Sequence, residues 1–264
     1  MDLQLTGKTA FVSGSTAGIG YAIAKRLLIE GAEVVINGRS QESVDEAIEK
    51  LKREVAKAQI SGIPADFSNA VQVGGLIERL PDIDILVNNA GIFQPKDFAD
   101  IPDEDWYRFF DVNVMSGIRL CRAVFPKMLE RNEGRIIFIS SESGIAIAEE
   151  MIHYSMTKTA QLAISRGLAQ LAKGTNITVN SVLPGPTRSR GVKKFIEEVA
   201  ESQDMSVEEA EQDFFTTNRP NSLLQRFIEV DEIANTVAYF ASPLSAATNG
   251  AAIKAEGGIV TSII

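Results

Sequence analysis

The chain has 264 residues, 45% hydrophobic and 23% charged, a balance that excludes a disordered chain and allows one sizeable core. Its 35 acidic and 26 basic residues give a net charge of −9, which argues against a nucleic-acid or anionic-membrane binder, because both need a basic face. One cysteine, Cys121, excludes an intrachain disulfide, and one histidine, His153, excludes a zinc site of several His and Cys ligands and leaves a Ser-His-Asp triad a single possible base.

No basic segment followed by a long apolar run opens the chain, and no stretch reaches the ~18 apolar residues of a membrane helix. The expected location is the cytoplasm, where a lone thiol stays reduced.

Short apolar runs alternate with amphipathic segments from end to end. Thr9–Val12 reads as a buried strand closed by Ser13-Gly14, followed by a helix over Ile19–Ile29 that stops at Gly31. Glu33–Asn37 is the second strand, and Ser40 is the expected cap of a helix over Gln41–Lys57. A strand over Ile60–Ala65, a helix over Val71–Leu80 and a strand over Asp84–Asn88 follow. Asp103–Arg131 reads as a long helical region in two pieces, Gly134–Ser140 as the fifth strand, His153–Lys173 as a long helix and Ile177–Leu183 as the sixth strand. Residues 186–226 read as an irregular insertion with two short helices, the second opened by a Ser206/Glu209 capping box. A helix over Asp231–Ala241 and a strand over Ala251–Ala255 end the pattern. Such alternation, with nearly continuous apolar strands, predicts an α/β fold: a parallel sheet covered on both faces, in three layers and one domain over 1–264.

The first strand runs into Ser13-Gly14-Ser15-Thr16-Ala17-Gly18-Ile19-Gly20, and a helix starts at once. Gly14 suits a tight turn, Gly18 a close backbone approach to a pyrophosphate, and Gly20 close helix-sheet packing. The helix amides and dipole then face the phosphates. The spacing is G-x-x-x-G-x-G, set inside a βαβ unit as a dinucleotide site requires. Asn37-Gly38-Arg39-Ser40 ends the second strand without a carboxylate for a ribose 2′-hydroxyl, and Arg39 could pair with a 2′-phosphate. NADP(H) is therefore favoured over NAD(H).

Tyr154 and Lys158 are four apart on a predicted helix and share one face. A nearby ammonium is expected to favour the phenolate and move the tyrosine towards the range of proton transfer. Tyr21 and Lys25 have the same spacing, but only Tyr154 follows a strand ending in hydroxyl residues, Ser140-Ser141-Glu142-Ser143-Gly144. Ligands of open α/β sheets bind at such strand ends.

In order, the glycine loop, Asn88-Asn89-Ala90-Gly91, Asn113, Ser141, Tyr154 with Lys158, and Pro184-Gly185 resemble the short-chain dehydrogenase/reductase family over nearly the whole chain. The resemblance implies a Rossmann-type doubly wound sheet and hydride transfer between a nicotinamide and a carbonyl or alcohol. It casts Tyr154 as general acid/base, Lys158 as the group that binds the nicotinamide ribose and lowers the tyrosine pKa, Ser141 as donor to the carbonyl oxygen, and Asn113 as the proton-relay asparagine. Around the cofactor it casts Gly14, Ser15, Thr16, Gly18, Ile19, Gly20 and Arg39, with Asp66 and Phe67 at the adenine. Asn88 and Gly91 are cast as the cofactor wall, and Pro184, Gly185 and Ser189 as the segment by the nicotinamide amide. It also implies a homotetramer or homodimer packed through the helices at 103–131 and 153–173. Residues 186–226 are expected to form a substrate lid.

Departures from the family pattern are Ser13 for a usual threonine, Ala17 where many NADP-preferring members carry a basic residue, Gln225-Arg226, and Ala255-Glu256-Gly257-Gly258. His153 reads as a surface or pocket-rim residue, Cys121 as a small buried hydrophobe, Trp106 and Phe109-Phe110 as core. Arg188, Arg190, Lys193 and Lys194 read as solvated surface, or else as contacts to a cofactor phosphate or an anionic substrate tail. The rival functions are a non-catalytic dinucleotide-binding sensor or scaffold on the same fold, and a serine hydrolase, for which no G-x-S-x-G elbow is present.

Overall fold

The computed structural model describes residues 1–263, with the Arg190 side chain also outside the description. Seven strands form one parallel sheet in the order β3-β2-β1-β4-β5-β6-β7. They are β1 (Thr9–Val12), β2 (Glu33–Gly38), β3 (Ile60–Pro64), β4 (Ile85–Asn88), β5 (Glu133–Ile139), β6 (Asn176–Pro184) and β7 (Ala252–Ala255). The chain runs outward from β1 to β3, then crosses back so that β4 pairs with β1, Phe11 opposite Leu86. The strand order reverses there, which opens a crevice at the carboxyl ends of β1 and β4.

Both faces are covered, which is why successive residues of the central strands, Ala10-Phe11-Val12 of β1 and Ile85-Leu86-Val87 of β4, are apolar rather than every other one. Ala10 and Val12 point to one face and join a core with Ile36, Val87, Ile137 and Ile139 under α1 (Gly18–Ile29), α2 (Gln41–Glu54) and α9 (Val230–Ala241). Phe11, between them, points to the other face with Val35, Leu86, Ile136 and Phe138. That face is closed by α3 (Ala70–Arg79), α5 (Ser116–Arg131) and α6 (Ile152–Leu171). Cys121 is buried there as a free thiol, its pKa pushed up to about 12 by burial.

The expected caps are formed: Ser40 accepts from Ser43 N at 3.2 Å, and Ser206 N donates to Glu209 Oε2 at 2.8 Å while Ser206 Oγ accepts from Glu209 N at 3.2 Å. The expected helix over Gln41–Lys57 stops at Glu54, because Val55 is extended and Lys57 takes a left-handed φ of 62°. The long region after Pro102 is α4 (Asp103–Phe110) and α5, joined by one wide π-type turn over Asp111–Met115. The insertion is more ordered than its sequence indicates. It holds α7 (Arg190–Ser202) and α8 (Val207–Asp213), and Ile196, Ala200, Ala210, Phe215 and Phe227 make a small core of their own. Among the described residues no helix is long and apolar enough to cross a membrane.

Candidate active site

The glycine loop sits at the mouth of the crevice. Gly14 and Gly18 take φ of +60° and +59°, a left-handed conformation that strains other residues. A Cβ on Gly14 would stand 3.1 Å from Ala90 Cα, and one on Gly20 would stand 2.5 Å from both Gly14 O and Asn89 Nδ2. The loop is therefore a cradle that side chains would fill, and Ala17 provides no side-chain cap for the amides that open α1. Such a loop fits a dinucleotide pyrophosphate. Thr16 is half-buried against Gly38, where a Cβ would come within 2.5 Å of its methyl. Ile19 lines the cleft.

Two residues pin the loop from below. Ser15, expected at the cofactor, is fully buried; its hydroxyl donates to Val12 O at 2.6 Å and accepts from Asn37 N at 2.9 Å. Its N–H donates to Asn37 O at 2.8 Å, so Ser15 fixes the turn rather than offering a donor to a ligand. Asn37 accepts from Gly14 N at 3.1 Å and donates to Ile63 O at 3.0 Å. Ser13 holds the next strand, its Oγ accepting from Asn89 N and Ala90 N at 2.9 Å each, so the serine that replaces threonine keeps the contact a hydroxyl can make.

At the end of β2, Arg39 is exposed. It adds to the field that, after the Ser68 N–H, holds the Asp66 carboxyl below its ordinary range. The Phe67 ring is buried in the core, so only its backbone can face an adenine. Asn88 is also turned away: its amide donates to Cys121 Sγ at 3.4 Å, and the neighbouring Asn89 lines the cleft beside Gly91.

Ser141, Tyr154 and Lys158 meet at the carboxyl end of β5. Lys158 Nζ donates to Ile139 O at 2.9 Å and lies 5.5 Å from the centroid of the Tyr154 ring. Burial pulls the Lys158 pKa down to about 8. Burial, then the Glu142 carboxyl, push the Tyr154 phenol above its ordinary value, and the Ser141 hydroxyl pulls it back only in part. The expected lowering of the tyrosine by its lysine is not the sign found here: burial, then Glu142, set the direction, and the phenol is held towards its neutral form.

Ser140 and Ser143 are otherwise engaged. The Ser140 hydroxyl donates to Lys158 O at 2.9 Å, and Ser143 Oγ donates to Glu142 Oε1 at 3.4 Å. Asn113, in the wide turn after α4, is fully buried. Its amide donates to Ile92 O at 2.9 Å and Thr157 Oγ1 at 3.0 Å, and its Oδ1 accepts from Ile92 N at 2.7 Å. Gln161 connects it to the lysine: Gln161 Nε2 donates to Asn113 O at 2.6 Å, and Lys158 Nζ donates to Gln161 Oε1 at 3.4 Å. Sequence reasoning missed Gln161, although its place one turn after Lys158 on the same helix was the available signal. It also passed over Glu142, the only charged residue in the hydroxyl-rich strand end.

The cleft, of about 460 Å³, is lined by Pro184 and Gly185 at the end of β6 and by Ser189, Val192, Phe195 and Phe214 of the insertion. A Cβ on Gly185 would stand 2.6 Å from Glu256 O, and one on Gly18 would stand 3.6 Å from Ser189 Cβ. Arg219 reaches in from the insertion: Nη2 donates to Glu150 Oε1 at 3.0 Å, and Nε lies 3.8 Å from Glu142 Oε1.

The surface reading of Arg188, Lys193 and Lys194 fits the structure, and the Arg190 side chain lies outside the described residues. Arg188 pairs with Glu211 and with Glu229, Lys193 with Glu197 and Lys194 with Glu198. His153 is neither surface nor rim: it is 1% exposed, its ring 4.1 Å from that of Phe109 and 5.9 Å from that of Trp106. Phe110, expected in the core, is exposed instead, because it falls on the outer face of α4. Lys25, of the decoy pair, is bound to Glu54 at 2.8 Å, away from the cleft.

The family model for short chain dehydrogenase matches residues 8–200. The chain is 50% identical to the uncharacterized oxidoreductase YvaG of Bacillus subtilis over the full length of both. Among solved structures it is similar to L-sorbose reductase from Gluconobacter frateurii complexed with NADPH and L-sorbose, with a TM-score of 0.93, 28% identity and full coverage of both chains. It is also similar to the actinorhodin polyketide ketoreductase with NADPH, with a TM-score of 0.86, 29% identity, and 96% and 97% of the two chains covered. A glycine cradle at a strand reversal, with a Ser-Tyr-Lys cluster at its mouth, agrees with these matches: the chain belongs to the short-chain dehydrogenase/reductase family of NAD(P)-dependent oxidoreductases.

Proposed function

We propose that the protein is a carbonyl reductase or alcohol dehydrogenase that prefers NADP(H) and uses NAD(H) less well. The observation that carries this reading is the meeting of Ser141, Tyr154 and Lys158 within one cleft with the glycine loop. Gly14, Thr16, Gly18, Ile19 and Gly20 would hold the pyrophosphate, on the turn that Ser15 pins from below. Arg39 would take a 2′-phosphate, Asp66 and the Phe67 backbone the adenine. Gly91 with Asn89 would form the wall, to which Asn88 contributes through its backbone, and Pro184, Gly185 and Ser189 would face the nicotinamide. The bound dinucleotide supplies the hydride.

The chain's own groups manage the proton. Tyr154, kept neutral by burial, donates it to the substrate oxygen, which Ser141 also binds. Lys158 is the acid behind the tyrosine that replaces this proton, and Gln161, tied to Asn113 O, holds the lysine in place. A neutral phenol at neutral pH favours reduction over alcohol oxidation. The insertion at 186–226 acts as a lid, bringing Val192, Phe195 and Phe214 over the cleft. The neighbours solved with NADPH support the cofactor preference, and the one with L-sorbose supports a small-molecule carbonyl substrate.

Helices α4, α5 and α6 leave Tyr107, Phe110, Leu129 and Leu171 exposed, which supports a homodimer or homotetramer packed through them. The buried free thiol of Cys121 suits a cytoplasmic setting. Fluorescence titration with NADPH and NADH, followed by a carbonyl screen for NADPH oxidation, tests the reading. Tighter binding of NADPH with carbonyl-dependent oxidation is expected; tight binding with no oxidation across the screen would instead point to a sensor.

A further inference from the structure

The hydroxyl that should receive the substrate is already in use. Ser141 Oγ donates to Glu142 Oε2 at 2.6 Å, and a serine hydroxyl has one proton to donate. A substrate carbonyl can take that proton only if Glu142 releases it. Glu142 is 6% exposed and lines the cleft beside Tyr154. Its other side-chain neighbours, Ser143 Oγ at 3.4 Å and Arg219 Nε at 3.8 Å, both lie on Oε1. Without Ser141, Oε2 loses its side-chain donor while staying buried, a loss that burial penalises.

A ligand that brings its own donor next to its carbonyl removes that penalty. A hydroxyl on the carbon beside the carbonyl carbon does so, because its two oxygens are spaced much as Ser141 Oγ and Glu142 Oε2 are. An ammonium would also donate, but the Arg219 guanidinium already places a positive charge there. A carboxylate would stand against Glu142 itself. A carboxyl keeps an acceptor oxygen whether or not it is protonated. The cleft wall also carries four aromatic rings, Phe93, Phe195, Phe214 and Phe227.

We propose that Glu142 determines specificity and that the cleft selects α-hydroxy ketones bearing an apolar or aromatic group, the carbonyl oxygen on Ser141 and Tyr154 and the adjacent hydroxyl donating to Glu142. This rests on the carbonyl-reductase reading above.

The test compares α-hydroxyacetophenone with acetophenone in two ways. One is kcat/KM with NADPH for the wild type, Glu142→Ala and Glu142→Gln. The other is the Kd of each ketone for NADPH-loaded Tyr154→Phe protein, with and without Glu142→Ala, read by nicotinamide fluorescence. The wild type should prefer the hydroxy ketone by at least about tenfold, the value of one good hydrogen bond. Glu142→Ala should bring both ratios close to one, and Glu142→Gln, which keeps an acceptor oxygen, should retain part of the preference. A wild-type ratio near one overturns the proposal whatever the variants do, and so does a preference that survives Glu142→Ala. If acetophenone is reduced but the ratios are flat, only the Glu142 assignment fails. If neither ketone is reduced yet the binding preference depends on Glu142, the assignment stands and the reductase reading fails.

Discussion

The ammonium of Lys158 lies 5.5 Å from the centre of the Tyr154 ring, and burial shifts the two groups in opposite directions, the lysine down and the phenol up. Each is thereby moved towards its neutral form, as expected for polar groups taken out of water without a full ionic partner. In the proposed reaction such a pair would give a proton from the phenol rather than remove one from an alcohol.

That shift has a consequence for stability. Lys158 titrates near 8 in the folded chain against 10.5 as its reference. Below about pH 8 it is charged in both states. Between those values the unfolded chain holds a proton that the folded chain lacks, so stability rises with pH across that window. Urea unfolding of the wild type should therefore gain on Lys158→Met by up to about 3 kcal/mol between roughly pH 8 and pH 10. A difference that does not change with pH would show that the lysine is not desolvated.

Arg39 is the exposed cation at the end of β2. Arg39→Ala should weaken NADPH binding by roughly tenfold or more, the worth of a charge-assisted hydrogen bond, while NADH binding changes by about twofold at most. Equal losses for both dinucleotides would remove Arg39 from the 2′ position.

How much of this was legible in the sequence follows the range of the interactions. Local signals carried far: the apolar runs gave all seven strands to within about a residue or two, and Ser40 and Ser206 capped the helices they precede. The doubly wound parallel sheet that the family resemblance implied is also the one found. What failed depended on where a side chain points once the sheet twists. Ser15 and Phe67 lie within motif positions, yet the Ser15 hydroxyl and the Phe67 ring are used by the core. Asn88 and Asn89 are adjacent and face opposite ways, a distinction that only strand register decides. Arg219 reaches Glu142 across 77 positions of sequence, and nothing local announces such a pairing.

Gln161 is 2% exposed and bridges the Asn113 carbonyl and the Lys158 ammonium. Gln161→Leu leaves that carbonyl without its donor, which should lower stability by about 1–3 kcal/mol in urea titration. Turnover should fall while the Kd for NADPH stays nearly constant, because the residue lies behind the tyrosine. Unaltered stability and turnover would mean that the bridge is not formed in solution.

Gly20 is a steric requirement rather than a conformational one, since its added Cβ would meet Gly14 O and Asn89 Nδ2 at 2.5 Å. Gly20→Ala should weaken dinucleotide binding by at least roughly tenfold as the loop is pushed out of place. Gly75→Ala serves as the control: it lies in α3 with nothing within 4 Å of the new methyl, and should be neutral or stabilising by about 0.5–1 kcal/mol. Similar dinucleotide affinities for the two variants would contradict the cradle.

The most direct test is the proton donor itself. In Tyr154→Phe the ring that packs against Phe93 is kept and only the hydroxyl is lost. Single-turnover NADPH oxidation with a reducible ketone should slow by about 10²–10⁴-fold, with the Kd for NADPH within about twofold of the wild type. A variant that oxidises NADPH at the wild-type rate would remove Tyr154 from the chemistry.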